Sequence, residues 1–332
     1  MGITAMAVGA QGAAPAGTYV QTAAVGVLED LSDVIFRIDP DETPLVSACP
    51  RSNAKQINHE WLVQELNAAS DNAQPEGFTA VMQAATAPVR LSNIAQILAR
   101  TVGVSNTLRS VDMAGGEDEY NRQLVLRGME VKRDLELIIT SPLVRTITDP
   151  RHMSGLPCYC VNGSRGAGAG VMPVGNGSNA GTPGTKRDLT LDLVNTAMQQ
   201  CWVAGGKPTL GIMSGNVKNY FATLSQGGTG NPIVAQNIQS TTAREEVTIL
   251  GAVDVYRTNF GSLNLAPDRF CPANQILLIS TDYIELSPLP DRDMVQIDFA
   301  QTGDNSQGAV IWEGTLTPTA PKSHAWVADL NQ

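Results

Sequence analysis

The sequence is poor in positive charge, in aromatic residues and in histidine. Its 22 lysine and arginine residues face 32 aspartate and glutamate residues, which gives a formal net charge of −10 at pH 7. A protein that binds nucleic acid in a basic groove needs lysine and arginine to replace the counterions of the phosphates. The excess of acidic residues therefore disfavours tight, sequence-specific DNA binding. A container for DNA stays possible, because a shell confines its contents by geometry and a mildly acidic wall does not adhere to them.

Paired cysteines and long apolar runs are also missing. The five cysteines are odd in number and scattered, which does not fit a disulfide framework and favours a reducing cytosol. No stretch reaches the roughly 18 uncharged apolar residues of a membrane span. Residues 1–20 lack the basic leader and apolar block of a signal peptide. We therefore expect neither export by a standard signal nor a place in a membrane.

Motifs for catalysis or cofactor binding are missing or out of context. His152 with Cys158 and Cys160 falls short of the four ligands that a zinc site normally has. Residues Gly175–Ala180 match a dinucleotide-binding G-x-G-x-x-A, but more glycine and proline follow where a helix should begin. Residues Gly205–Pro208 indicate a helix stop, since the glycine spacing of a P-loop is absent. We predict no catalytic, cofactor-binding or metal-binding residues, and no enzyme.

The first part of the chain has the composition of an extended arm. Residues 1–27 are rich in alanine and glycine, nearly uncharged and without periodicity, so they cannot build a core of their own. An arm that lies across neighbouring subunits is the interpretation we favour. Residues Leu28–Phe36 follow the pattern of a short amphipathic helix, which Pro40 and the turn residues 41–44 close.

Two extended stretches come next and predict a long β-hairpin. They lie near Gln56–Leu66 and Val89–Ser105, where Val, Ile and Thr recur, and they flank a polar tip at 67–88 that contains Gly and Pro. A two-stranded ribbon is marginal in water by itself. A long projecting ribbon therefore needs another surface to lie on.

The strongest helical pattern runs from Gly116 to Thr140, and Pro142 stops it. Acidic residues 117–119 lie in its first turn, where carboxylates favour the positive end of the helix dipole. We expect a buried apolar stripe made of Tyr120, Leu124, Val131, Leu135 and Ile138. We expect two ion pairs on the exposed face, namely Glu119 with Arg122 and Lys132 with Glu136.

The second half of the chain has an α+β pattern. It begins with a Gly/Ser/Asn-rich excursion at 161–185 that predicts a flexible surface loop. A helix is predicted at Leu189–Val203, capped by Asp188 or Thr190, and another at Asn216–Leu224. Strands are predicted at Thr209–Met213, Val247–Thr258, Ile276–Ser280 and Val310–Thr317.

Several short motifs, in this order, resemble a known family. They are Asp41–Leu45 (DETPL), Ala114–Glu119 (AGGEDE), Gly128–Glu136 (GMEVKRDLE), Gly205–Pro208 (GGKP), Tyr256–Gly261 (YRTNFG) and Thr302–Asp304 (TGD) before Glu313. Over roughly residues 28–330 the chain resembles the major capsid proteins of tailed bacteriophages with the Hong Kong 97 phage fold, and most closely the branch typified by phage Su-ten. Each motif is soft, and their order carries the resemblance.

This resemblance implies an α+β fold of the Hong Kong 97 phage capsid type, with an N-terminal arm, an extended β-hairpin loop, a peripheral domain with a long spine helix, and an axial α+β domain. The implied divisions are an arm with a short helix at 1–49, the extended loop at 50–105, the peripheral domain at 106–150, the Gly-rich surface loop at 151–185, the axial domain at 186–280, and a return to the peripheral domain at 281–332.

The resemblance also implies a function and partners. Copies of the chain would form pentamers and hexamers that close an icosahedral head shell around double-stranded DNA, without sequence-specific binding. Scaffolding, portal and decoration proteins are the further partners it suggests. Assembly would take place in the host bacterial cytoplasm, and the product would be the virion capsid. Some relatives crosslink a lysine of the extended loop, but Lys55 is the only lysine of this ribbon and lies near its base. We therefore predict no crosslinking.

Two other functions stay open at this point. The first is an encapsulin, a bacterial nanocompartment shell of the same fold that holds a cargo enzyme. The second is a metabolic enzyme with a nucleotide site in the Gly-rich loop. Particles of purified protein in micrographs would remove the enzyme, and neighbouring genes would separate a phage head from a compartment.

Overall fold

The computed structural model describes residues 42–80, 82, 84–111, 118–225 and 254–331. The predicted arm at 1–27, the predicted helix at 28–36 and the first part of the predicted strand at 247–258 lie outside these residues. The helices in the described part are α1 Pro44–Ala48, α2 Asn106–Ser110, α3 Glu119–Thr140, α4 Leu191–Val203 and α5 Gly215–Ser225. Three short 3-10 turns lie at Leu156–Tyr159, Thr281–Tyr283 and Pro321–Ser323.

The strands form a two-stranded ribbon and two larger sheets. They are β1 Asn58–Val63, β2 Val89–Ile94, β3 Gln96–Ser105, β4 Asn162–Ser164, β5 Leu210–Met213, β6 Val255–Thr258, β7 Gly261–Pro267, β8 Ile276–Ile279, β9 Ile284–Pro288, β10 Val295–Asp298, β11 Asn305–Pro318 and β12 Ala325–Val327.

Strand β11 organises the first large sheet, which is antiparallel and has four strands. It pairs with β3 from Asn305 to Gly314, while β10 and β9 pair with successive parts of it. Helix α3 packs on β3 and β11. Val131, Leu135 and Trp312 are fully buried in the resulting core, which explains why a long helix with one apolar stripe is stable here.

The second sheet has six strands in the order β4-β12-β8-β5-β7-β6. The β5–β7 and β4–β12 pairs are parallel and the other pairs are antiparallel. Strand β8 is buried at every position, as expected for a strand inside the sheet with side chains packed on both faces. Helices α4 and α5 contribute Met198, Cys201, Val217 and Phe221 to a core on this sheet.

Helix α3 agrees with the sequence prediction in its bounds but not in all of its pairs. Asp118 caps it by accepting the backbone N–H of Tyr120 at 3.0 Å, and the predicted Glu119–Arg122 pair is present at 2.6 Å. The predicted Lys132–Glu136 pair is wrong, because Glu136 faces the core and is 0% exposed. Ile139 is likewise fully buried while Ile138 is only partly so, since 131, 135 and 139 repeat at i, i+4.

The predicted hairpin is shorter than its apolar pattern indicates. Strands β1 and β2 pair from Asn58 with Ile94 to Val63 with Val89. After Ala95 the chain leaves the ribbon, and β3 pairs with β11 instead. The reason is a buried anchor, since the Asn93 side chain donates to the carbonyl oxygens of Leu316 at 2.7 Å and Ser154 at 3.2 Å.

Two further segments differ from the sequence prediction. Residues 161–185 are not a free surface loop, because Gly166, Pro173 and Gly177 are buried and the segment folds back on itself. Strand β12 joins the six-stranded sheet next to β8, whereas 281–332 was predicted to return to the peripheral part as a whole. Only β9, β10 and β11 of that stretch belong to the four-stranded sheet.

Candidate functional site at the projecting hairpin

The residues that could have carried chemistry have structural positions. In the described part of the chain, no three metal-ligating side chains come together. Cys158 and Cys160 are fully buried, and burial raises the pKa of the Cys158 thiol to about 11, so both stay protonated core residues. Gly205 ends α4 with a φ of +86°, which fits the predicted helix stop. Among the described helices, none could cross a membrane.

The tip of the hairpin carries large apolar side chains that the other described residues leave uncovered. Leu66 is 96% exposed, Met82 is 94% exposed and Phe78 is 57% exposed. Few hydrogen bonds hold this tip, one being from Gln64 Nε2 to the carbonyl oxygen of Thr86 at 2.9 Å. Several large exposed apolar side chains in one segment indicate an interaction surface.

The charges of the tip all have one sign. Between residues 64 and 88 the charged residues are Glu65, Asp71 and Glu76, with no lysine or arginine. A partner surface for this tip therefore needs apolar pockets together with positive charge. Glu65 pairs with Lys322 of the body, whereas Asp71 and Glu76 have no ion pair among the described residues, and their charge disfavours contact with nucleic acid or an anionic membrane.

The base of the hairpin is held firmly on the body. Tyr159 Oη donates to the carbonyl oxygen of Ser92 at 2.8 Å, and Arg145 Nη1 donates to the same oxygen at 2.5 Å. The Tyr159 ring also contacts Trp61 of β1, with ring centroids 5.9 Å apart. Together with buried Asn93, these contacts fix the point where the ribbon leaves the body.

A cavity of about 420 Å³ lies just beyond that point. The ribbon side contributes Val63 and Leu91, and the Gly-rich segment contributes Val161 and Val174. Glu65 and Lys322 form an ion pair of 2.5 Å between the ribbon and the body. Both side chains of this pair are about half exposed, so it contributes no more than about 1 kcal/mol.

A second attachment brings the start of the described chain into the core. Glu136 of α3 accepts the backbone N–H groups of Leu45 and Val46, both at 2.8 Å, and thereby caps α1. Burial raises the pKa of this carboxyl to about 7, although the two hydrogen bonds oppose the rise. Local sequence does not indicate this contact, because Glu136 lies where a surface ion pair fits the helical spacing equally well.

Exposed apolar residues are also found away from the hairpin. Val125 is 60% exposed on α3, and Trp202 and Val203 at the end of α4 are 54% and 73% exposed. Trp202 keeps one intramolecular ring contact, with Phe260 at 5.7 Å. Lys55 is exposed and lies shortly before β1, at the base of the ribbon as expected. That Lys55 forms no crosslink stays a prediction.

Comparison with known proteins decides the family. Residues 13–331 match the SU10 major capsid protein family. The chain belongs to that family. Members are structural capsid proteins, which confirms the expected resemblance and the expectation of a structural protein in place of an enzyme. The mixed α/β fold described above is thus the fold of this capsid family.

One curated relative and two solved structures illustrate the similarity. The chain is 34% identical over 110 residues to the major capsid protein of Escherichia phage Phieco32, a match that spans 31% of that protein and 33% of this chain. It is similar to the capsid asymmetric unit of cyanophage A-1(L), with a TM-score of 0.63, 12% identity and coverage of 94% of this chain and 99% of that one. An encapsulin complex from Synechococcus elongatus is similar with a TM-score of 0.52, 11% identity and coverage of 87% and 89%.

Proposed function

We propose that this chain is a phage major capsid protein whose copies form pentamers and hexamers of an icosahedral head shell around double-stranded DNA. Family membership supports this proposal, and the observation that carries it in the structure is the uncovered hairpin tip. Leu66, Phe78 and Met82 lie at the end of the ribbon, where the described part of the subunit does not cover them. An adjacent copy in a shell would cover them, so that each interface stabilises a ribbon that is marginal alone.

We further propose the division of the chain that its Hong Kong 97 resemblance implies. The ribbon and its tip correspond to the extended loop, helix α3 with the four-stranded sheet to the peripheral domain, and α4, α5 and the six-stranded sheet to the axial domain. Strand β12 and the Gly-rich segment are assigned to the axial side, since β12 pairs with both β4 and β8. The arm at 1–27 would lie over neighbouring subunits, whereas α1, at the end of the implied division 1–49, packs in the core of its own subunit.

Electron microscopy of the purified full-length protein tests the proposal. We expect closed particles or rings, alone or with the phage's scaffolding protein. Replacing both Leu66 and Met82 by Ser should abolish them. A matched variant, Ile147→Ser, removes a side chain that is 69% exposed on the body and should leave them intact. A protein that stays monomeric under all these conditions would contradict the proposed function.

Removal of residues 1–27 tests the arm separately. We expect a soluble subunit that fails to close shells, because the described residues from α1 onward form a hydrophobic core among themselves. Shells of normal size from this truncation would refute the role of the arm and leave the capsid proposal standing.

The encapsulin alternative rests on one observation, the similarity in fold to a solved encapsulin complex. Fold does not separate a phage head from a nanocompartment, since one architecture serves both. The contents of purified particles do: packaged DNA supports the phage head, and a cargo enzyme supports the compartment.

A nucleotide enzyme is disfavoured by the Gly-rich segment itself. The backbone N–H groups of Gly166 and Gly184 donate to the carboxylate of Asp329 at 3.0 and 2.8 Å. A phosphate-binding loop needs free N–H groups, and a carboxylate at that position would repel phosphate.

A further inference from the structure

The glycines of the segment 161–185 serve close packing, although their number suggests a flexible linker. A Cβ atom on Gly166 would lie 1.8 Å from the carbonyl oxygen of Thr185, and one on Gly184 would lie 2.1 Å from the carbonyl oxygen of Gly166. No side chain fits at such distances. The two ends of the segment are thus in backbone contact.

Asp329 ties these two ends together. Its Oδ2 atom accepts both the Gly166 and the Gly184 N–H group, and the side chain is 6% exposed. Arg165 lies 3.8 Å from its Oδ1 atom and stacks over the Trp326 ring at 4.2 Å. Asp329 has a φ of +59°, a left-handed conformation that Asp and Asn adopt more easily than other side chains. One buried carboxylate therefore closes the segment.

Gly177, in the middle of the segment, packs closely against Tyr159, one of the side chains that hold the hairpin on the body. A Cβ atom on Gly177 would lie 2.4 Å from Tyr159 Oη, and the Gly177 carbonyl oxygen accepts the backbone N–H of Arg145 at 3.1 Å. Tyr159 and Arg145 are the two side chains that donate to Ser92 in β2. A continuous line of contacts thus runs from Asp329 through the glycines to the base of the ribbon.

We infer that the segment 161–185 is a buttress that sets the direction of the hairpin, and that Asp329 is the positioning residue that keeps this buttress closed. Without this segment, the cavity beside Val63 and Leu91 would leave the ribbon free to change direction, since among the described residues the half-exposed Glu65–Lys322 ion pair is the one polar contact that spans that side. The importance of this direction for assembly rests on the proposed function, but the positioning itself does not.

Two glycine substitutions separate the buttress contact from backbone strain. Gly177 and Gly168 both have positive φ angles, +73° and +84°, so alanine introduces similar strain at each. At Gly177 the new Cβ atom collides with Tyr159, whereas at Gly168 its nearest neighbour is Thr185 Oγ1 at an ordinary 3.7 Å. Gly168→Ala is therefore the matched control for Gly177→Ala.

Asp329→Asn provides the second arm of the test. Asparagine tolerates the left-handed backbone and keeps an acceptor oxygen, but this oxygen is neutral, so both glycine N–H groups lose a charge-assisted bond and Arg165 loses its negative partner. Its control is Asp188→Asn, which removes the charge of an exposed carboxylate that follows the segment in the sequence and lies 3.5 Å from Asn331 Nδ2.

The experiment measures the full-length protein as dilute subunits, so that a failure to assemble does not affect the result. Spin labels at Asp71→Cys and Asp282→Cys report the distance between tip and body, since the five native cysteines are all buried. Amide hydrogen exchange of β1 and β2 reports their local stability, with the four-stranded sheet as internal reference.

We expect Gly177→Ala and Asp329→Asn to broaden the distance distribution and to speed exchange in β1 and β2 at least ~10-fold, with both controls unchanged. If Asp329→Asn speeds exchange only at 161–185 and leaves the ribbon unaffected, the buttress is refuted. If it changes neither region, Asp329 is not the closing residue. If Gly168→Ala matches Gly177→Ala, strain and not the Tyr159 contact explains the effect.

Discussion

Strands β11 and β1 are both antiparallel, yet the described part of the chain covers only β11. Strand β11 is buried at almost every position after Gln307, with α3 on one face and other strands along both its edges. Strand β1 has no buried residue and a single partner, β2. The body is therefore stable through contacts within one subunit, while the ribbon depends on its base and on whatever covers its tip.

The largest difference between the two regions should come from the core tryptophan. Trp312→Ala removes a fully buried ring beneath α3 and should lower the free energy of unfolding by about 3–5 kcal/mol. Denaturant titration measures the loss. Trp202→Ala, which removes a ring that is 54% exposed, is the matched control and should cost less than about 1 kcal/mol. Equal losses in the two variants would contradict the conclusion that the body is stabilised by its buried core.

The next effect concerns Glu136, which joins α3 to α1. Glu136→Leu leaves two buried N–H groups without an acceptor and should cost about 1–3 kcal/mol for each. Limited proteolysis should then cleave near residues 44–49 in the variant and not in the natural protein. Protection of that stretch in Glu136→Leu would show that apolar packing of Leu45 and Val46 suffices to hold α1.

The same carboxyl should give stability a pH dependence of known sign. Its pKa in the folded protein, about 7, lies above the ordinary value of 4.5, so the folded state binds more protons between these limits. The contribution of Glu136 to stability therefore falls as pH rises from 4.5 to 7. Buried His324 has a pKa lowered to about 4 and acts in the opposite direction, so the measurement must be a difference. Subtracting the Glu136→Gln curve should leave a slope that is negative in this window and flat above it.

A smaller effect is expected from the ion pair between β3 and α3. Arg100 donates to both oxygens of Asp134 at 2.8 Å, but the two side chains are 46% and 34% exposed. Asp134→Ala should therefore cost about 0.2–1 kcal/mol, and the loss should shrink at high salt. A loss above 2 kcal/mol would mean that this surface behaves like the core.

The smallest effect on the subunit is expected at the tip. Replacing Leu66 and Met82 by Ser should change the free energy of unfolding by less than about 0.5 kcal/mol, because neither side chain packs on the body. The same variant is expected to lose assembly. Thermal unfolding of dilute subunits checks the first statement, and a marked destabilisation would show that the tip folds onto its own subunit.

Much of the fold follows from local sequence signals. Periodicity and Pro142 predict α3, and Thr190 caps α4 as one of the two residues expected there. The ribbon and its exposed tip are also predictable, because turn residues separate two β-rich stretches. These elements depend on neighbours in the sequence, and such neighbours determine caps, turns and helical faces.

The remaining features depend on distant partners. Nothing near Glu136 indicates that it meets backbone groups 90 and 91 residues away. The sequence shows no signal for the change of partner strand between β2 and β3 at Ala95, since both strands have the same β-rich composition. Glycine at 161–185 suits a linker as well as a tightly packed segment, and only the contacts with Asp329 and Tyr159 distinguish the two.

The position of β12 has a consequence for the order in which the protein forms during synthesis. Domains generally fold from the N-terminal side as the ribosome extends the chain. The residues of the ribbon and of α3 are synthesised early. Strand β4 lacks its partner β12 until that strand has been made, and the N–H group of Gly166 lacks its acceptor Asp329, which lies 163 residues later. The nascent subunit therefore exposes its hairpin before the support for that hairpin exists. Newly made chains would gain a fixed hairpin only after β12 and Asp329 have been made.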